Sequence, residues 1–340
     1  MSREQLTERF AAVADDGLVV ASAFDHPERG RVECPAAPLV AAWLDAWGTP
    51  NRVGPLTGGR GAVGDAKGDG GLLVATTYPG PDGRPLGIAV LAPHLLAGTA
   101  AAAVSTWSAC LRTRRLLVPV FAPRCDGTLT APPGPGSPAP EDDCRPRSLA
   151  REAVLGQRAQ ARRVLLVGAP RAGTPDGLVP VPDVETATKI PLADPGTLAF
   201  VVAPCADTCA ADRIVSVLRE RFPSLRGQHP EQWCHRGTDN RIALEVAVHH
   251  GDLTLSLPGA PPPPPRARRV VEVRTLADLR PADIAQAATI VLLGPPGTPG
   301  SGPEPGTPEP GSGLGVAEVV GLLSGLGPTA VVRRGGPPPR

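Results

Sequence analysis

Seven cysteines are the residues of this 340-residue chain best suited to do chemistry. Cys125 follows an apolar run, and Cys144 and Cys234 each stand before a helical pattern. The carboxyl ends of parallel strands are common ligand sites. Three thiolates arriving from three such loops are a donor set for an iron–sulfur cluster with one iron lacking a protein ligand. The same residues also suit a plainer role, because an unoxidised cysteine is a small apolar side chain often found in cores. Seven cysteines offer many triplets, and spacing does not choose between the two readings. Cys205 and Cys209, with Cys234 and His235 downstream, have the residue types of a zinc site. Structural zinc pairs more often sit two or four residues apart on knuckles, whereas this pair straddles the start of a helix. Cys34 and Cys110 lie in apolar surroundings and read as structural.

Other constellations are weaker. His249 and His250 end a helix, where positive charge suits the dipole. Asp25-His26-Pro27-Glu28 follows a strand end and has acid–base residue types, but with no identifiable partner it reads as a polar turn. The glycine clusters at 58–61 and 68–71 lack the Lys-Ser/Thr of a phosphate loop and the spacing of a dinucleotide fingerprint.

The elements that must position these residues follow an α/β rhythm. Residues 17–24 (GLVVASAF) echo residues 71–78 (GLLVATTY). Each is a short apolar run with β-branched residues leading to a Pro/Gly turn, so each reads as a strand. They are candidates for neighbours in one sheet, or two unrelated strands of like composition. Residues 95–111 read as an Ala-rich helix. Beyond residue 114, strands are expected at 116–121, 163–167, 197–203, 252–257, 270–273, 289–293 and 330–332. Helices are expected at 148–160, 210–221, 240–249 (capped by Asp239) and 316–323. Alternation at this spacing implies a mostly parallel sheet with right-handed crossovers.

Bulk composition excludes several partners. Basic and acidic residues number 34 and 33, without the basic excess of a nucleic-acid binder. No run nears the roughly 18 apolar residues of a membrane span, and the charged start lacks a signal-peptide core. A cytoplasmic location is expected, where cysteines serve as thiols or ligands more often than as disulfides. Lysine occurs only at positions 67 and 189, and aromatics make up only 3%. Small aliphatics therefore supply the packing, as suits tight helix-on-sheet layers.

From residue 114 onward the chain resembles the iron–sulfur reductase family of 4-hydroxy-3-methylbut-2-enyl diphosphate reductase (IspH). Residues 114–127 (RRLLVPVFAPRCDG) are similar to the family's opening strand and its APRG(F/Y)CAGV motif, without the glycine and aromatic before the cysteine. CRPRSLARE from Cys144, running on to VLLVG ending at Gly168, is similar to the family's CPLV, helix and (L/I)LIG strand. AFVVAPCADT (199–208) and IVSVLRERFP (214–223) resemble AYVTQTTLSVDDT and the helix ending LRERFP. WCHRGTDNR (233–241) is similar to ICYATTNRQ with one residue inserted.

The resemblance implies IspH-like parallel-sheet α/β domains, two of the family's three, behind an N-terminal α/β segment. It implies a [4Fe-4S] cluster on Cys125, Cys144 and Cys234, with substrate contacts from Thr238 and Asn240. The implied reaction is reductive dehydroxylation of an allylic diphosphate in isoprenoid precursor biosynthesis, with electrons from a donor such as ferredoxin or flavodoxin. Departures are concentrated at the implied substrate site. The domain between the family's first two cysteines is reduced to residues 126–143. No histidine or glutamate stands in 168–174 (GAPRAGT), and 257–262 (LPGAPP) lacks the hydroxyls of the diphosphate loop. Each charge-assisted hydrogen bond is worth about 1.5–3 kcal/mol, so such losses point also to a non-catalytic paralogue acting as a binding or regulatory protein.

The expected organisation has an N-terminal α/β segment of unknown role at 1–113, and the first-cysteine strand and loop at 114–131. A Pro-rich linker at 132–143 and a second domain at 144–240 follow. A third domain at 241–333 carries a Pro/Gly-rich insertion at 295–313, and a tail at 334–340 ends the chain.

Overall fold

The computed structural model describes residues 3–10, 17–56, 71–80, 82–121, 129, 145–168, 174–191, 195–295 and 314–335. Cys125, Cys144, the 132–143 linker and nearly all of the 295–313 insertion lie outside them. The architecture is mixed α/β with parallel sheets, in two compact units. The first comprises Met1–Pro119, Leu244–Pro295 and Ser301–Arg334, and the second comprises Val120–Ala243 with two short pieces, Pro296–Gly300 and Gly335–Arg340. These divisions fall at 119/120 and 243/244, against sequence boundaries placed at 113/114 and 240/241.

The first unit opens with β1 (Glu4–Phe10), β2 (Leu18–His26) and β3 (Gly30–Glu33), then α1 (Ala37–Ala46), which has Pro38 in its first turn. Next come β4 (Asn51–Pro55), β5 (Gly71–Pro79), β6 (Pro85–Ala92) and α2 (Ala97–Ser108). The strands form one mixed sheet in the order β1-β5-β6-β3-β2-β4. The two echoing runs are both strands of it, but they are not neighbours. β6 stands between them and pairs antiparallel with each. β7 (Arg114–Val120) begins another sheet.

The second unit is a parallel layer. It runs α3 (Arg145–Ala159), β8 (Arg163–Val167), β9 (Leu178–Val181), α4 (Val184–Lys189), β10 (Leu198–Val202), α5 (Thr208–Arg221) and β11 (Arg226–Gly227). Its strand order is β11-β10-β8-β9, with each neighbouring pair parallel. β8 and β10 are buried along nearly their whole length, as strands covered on both faces must be. Asp183 caps α4 and Asp207 caps α5 through backbone amides, stopping each helix from fraying. Phe200, Trp233, Ile214 and Leu218 fill this core. α6 (Arg236–His249) begins four residues earlier than the sequence pattern indicates, so Asp239 lies in its first turn rather than at its cap.

The remaining elements return to the first unit: β12 (Leu253–Ser256), β13 (Val270–Glu272), α7 (Pro281–Gln286), β14 (Thr289–Leu293), α8 (Val316–Ser324) and β15 (Thr329–Gly335). Their sheet runs β13-β12-β14-β7-β15. One continuous core joins both sheets of this unit, from Leu18, Phe24, Tyr78 and Trp107 to Leu253, Ile290, Leu323 and Leu326. Tyr78 donates its hydroxyl proton to the Gly325 carbonyl inside it. No helix among the described residues is long and apolar enough to cross a membrane.

Candidate functional site

In the second unit β8 and β10 are parallel neighbours, so their carboxyl ends open at the same edge, the usual ligand edge of such sheets. The Ala203 amide donates to Val167 O at 2.9 Å, carrying the pairing one residue past the strand. Gly168 then turns β8 away with φ +89°, and a Cβ there would lie 2.8 Å from the Ala206 methyl. The β10 loop passes through Pro204 to Cys205, a non-glycine residue held at φ +58°. Left-handed backbone costs an ordinary residue about 1–2 kcal/mol, so neighbouring contacts must hold it.

Those contacts come from the start of α6. A Cβ on Gly237 would stand 2.2 Å from the Cys205 carbonyl oxygen, so only glycine lets the helix come this close. Thr238 Oγ1 accepts from the Thr208 amide at 2.7 Å and lies 2.8 Å from Thr208 Oγ1. It donates in turn to Asp207 Oδ1 at 3.4 Å. Arg241 Nε lies 2.7 Å from the other Asp207 oxygen. Trp233, buried in the core, anchors the chain just before the helix. Three links thus clamp the 203–208 loop to the 234–241 segment.

Between them sit two thiols. Cys234 is buried, Cys205 is half-buried, and their Sγ atoms are 3.6 Å apart. That is well beyond the roughly 2.05 Å of a disulfide bond, so both are reduced and in van der Waals contact. Of the cysteines assigned from sequence to a cluster, only Cys234 falls among the described residues. Thr238 and Asn240 are both buried at the start of α6, and Thr238 spends its hydroxyl on the clamp. Among the described residues no group of three or more His, Cys, Asp or Glu side chains gathers as for a metal ion. Cys209 is exposed on α5. Cys205 was set aside with it by sequence spacing. The available signal was its position, one loop past a buried strand like the other candidate cysteines.

Cys34 and Cys110, in the first unit, behave as core residues. Burial, helped by the Glu33 carboxylate, pushes the Cys34 thiol up to about 12. Burial raises Cys110 to about 11 against the opposing pull of the Arg114 guanidinium. Both remain protonated near pH 8, and a protonated thiol is a poor nucleophile. Brief iodoacetamide treatment of the native protein at pH 8, read by peptide mass spectrometry, should label Cys209 early. Cys34 and Cys110 should be labelled only with unfolding. Labelling of Cys34 as fast as Cys209 would contradict the core described here.

No family model matches the chain. It is similar to two curated 4-hydroxy-3-methylbut-2-enyl diphosphate reductases, from Bartonella tribocorum (32% identity over 149 residues) and Ruegeria pomeroyi (32% over 136 residues). The alignments take in 41% and 40% of this chain. The chain spans about two fifths of the length of these relatives, 41% in both cases. A solved structure, the E-1-hydroxy-2-methyl-but-2-enyl-4-diphosphate reductase from Plasmodium falciparum, aligns at 18% identity with a TM-score of 0.32. It covers 44% of this chain and 54% of that one.

Proposed function

We propose that this chain, a divergent relative of the 4-hydroxy-3-methylbut-2-enyl diphosphate reductases, is an IspH-like iron–sulfur oxidoreductase with a reduced substrate site. The observation that carries the reading is the placement of Cys234. It is a buried thiol in the loop that leads into α6, clamped to the loop at the carboxyl edge of a parallel sheet. A thiolate ligand needs a sulfur held in such a fixed loop, and the clamp supplies the fixing, so Cys234 fits the role. Cys125 and Cys144 are its co-ligands in this proposal.

A bound [4Fe-4S] cluster would supply a Lewis-acidic iron and electrons from a ferredoxin- or flavodoxin-type donor. The chain's own residues orient and exclude. Gly168 and Gly237 let their segments pack directly against the 205–206 loop. Thr238 positions the 208 and 234 loops, and Asn240 lies one turn into the same helix. The stretch at 168–174 brings Arg171 but no histidine or glutamate to an allylic or diphosphate ligand. A missing general acid costs about a hundredfold to ten-thousandfold, so turnover of the relatives' named substrate should be low. The engagement of Thr238 in the clamp favours a second reading, a non-catalytic paralogue that keeps the shell as a binding or regulatory protein.

Anaerobic purification with iron and sulfide analysis tests the proposal. Iron and sulfide near four each per chain, with a broad band near ~400 nm, are expected. Cys234→Ser should abolish both, and Cys34→Ser should spare them. Protein without iron after anaerobic reconstitution would leave the non-catalytic reading.

A further inference from the structure

Cys205 has no part in the cluster proposed above, yet its sulfur is 3.6 Å from that of Cys234. The pair is not a chance meeting of mobile loops. Gly237 seats α6 on the Cys205 carbonyl, the two threonine hydroxyls join the loops, and Asp207 pairs with Arg241. Cys205 is meanwhile held in the left-handed region. Their exposures are unequal: Cys205 is partly open to solvent, and Cys234 is 4% exposed. One thiol is therefore reachable by a small oxidant while the second waits beside it.

We infer that Cys205 and Cys234 form a reversible intrachain disulfide, with Cys205 the attacking and Cys234 the resolving thiol. The oxidant is a low-molecular-weight disulfide such as glutathione disulfide. The Cys205 thiolate attacks one sulfur of the small disulfide, breaking its S–S bond, releasing one thiolate and forming a mixed disulfide on Cys205. Cys234, losing its proton to solvent, then attacks the Cys205 sulfur and expels the second small thiolate. Two protein thiols have lost two electrons, and one small disulfide has become two thiols. The sulfurs need to close by roughly 1.5 Å to reach bonding distance. Bond formation is independent of any cluster. Its consequence rests on the function proposed above: the disulfide removes Cys234 from the ligand set, so oxidation would disarm the redox centre before cluster assembly.

The full chain carrying Cys209→Ser allows a clean test, because tryptic peptide 190–213 otherwise holds both Cys205 and Cys209, while 227–236 holds Cys234. After incubation with glutathione disulfide, the 190–213 and 227–236 peptides should appear cross-linked without reductant. Alkylation of Cys234 in unfolded protein should fall about tenfold and return with dithiothreitol. Adding Cys205→Gly, a residue suited to φ +58°, should abolish the cross-link and restore Cys234 alkylation with the fold intact by circular dichroism. A stable glutathione adduct on Cys205 with Cys234 still alkylated would overturn the inference. Iron uptake measured on oxidised and reduced samples separates the two readings. A cross-link with no iron in either state sinks the cluster alone, and iron uptake without a cross-link sinks the switch alone.

Discussion

Residues 1–119 expressed alone should show no cooperative unfolding transition, although they contain a complete six-stranded sheet. The reason is the shared core. α1 packs against the turn at Leu276–Asp278, and the Cys110 thiol meets the Pro281 carbonyl. Arg112 bonds to Leu326 O and Ala285 O. Arg114, itself buried, reaches Cys110 O and Leu326 O. Removing residues 244–334 would expose one side of a core that includes Leu39, Trp107, Leu111 and Leu116. Each large side chain returned to water costs about 1.5–3 kcal/mol, and a handful exceeds the 5–15 kcal/mol that holds a typical domain together. Urea titration followed by circular dichroism and tryptophan fluorescence would read this directly. A sharp transition in the fragment would show that this sheet folds without residues 244–334.

Gly237→Ala should destabilise the second unit by about 2–3 kcal/mol, at the upper end of ordinary overpacking. The usual effect of this exchange inside a helix is a gain of about 0.5–1 kcal/mol. Here the new methyl would stand 2.2 Å from the Cys205 carbonyl oxygen and 3.1 Å from that of Ala206. Both obstacles are backbone, so the helix or the loop must move. Gly156→Ala is the control. It lies in α3 with nothing within 4 Å of the added carbon, and it should gain the ordinary increment. Paired urea midpoints should move in opposite directions. Equal shifts would mean that α6 does not press on the Cys205 loop.

Strong local patterns were legible in the sequence, and long-range closeness was not. β8 and β14 were readable to the residue because each is a β-branched run bounded by turn or polar residues. α5 and α8 showed their amphipathic periods. α1 did not, because APLVAAWLDA is apolar almost throughout and carries no clear period. β1 was hidden by its charges, since Glu4–Phe10 lies at the edge of its sheet, paired with β5. Strands β9 and β11 are too short to announce themselves. At the site, residue type and resemblance singled out Cys234. The nearness of Cys205 was not, because it depends on a left-handed turn and a glycine contact 32 positions away.

The chain order of the two units carries a consequence for synthesis. The second unit, Val120–Ala243, is spelled out between two portions of the first. β7 precedes it and its parallel partner β14 follows it. As the polypeptide leaves the ribosome, the inserted unit has all its strands available before β12 and β14 exist. The sheet of β1–β6, translated before the inserted unit, waits for the part of its core that follows it. Closing a loop of about 120 residues costs on the order of 4 kcal/mol in chain entropy, and that cost falls when the interposed stretch has already collapsed. Residues made before the inserted unit thus reach their final packing after it, and their apolar surface stays uncovered during that interval.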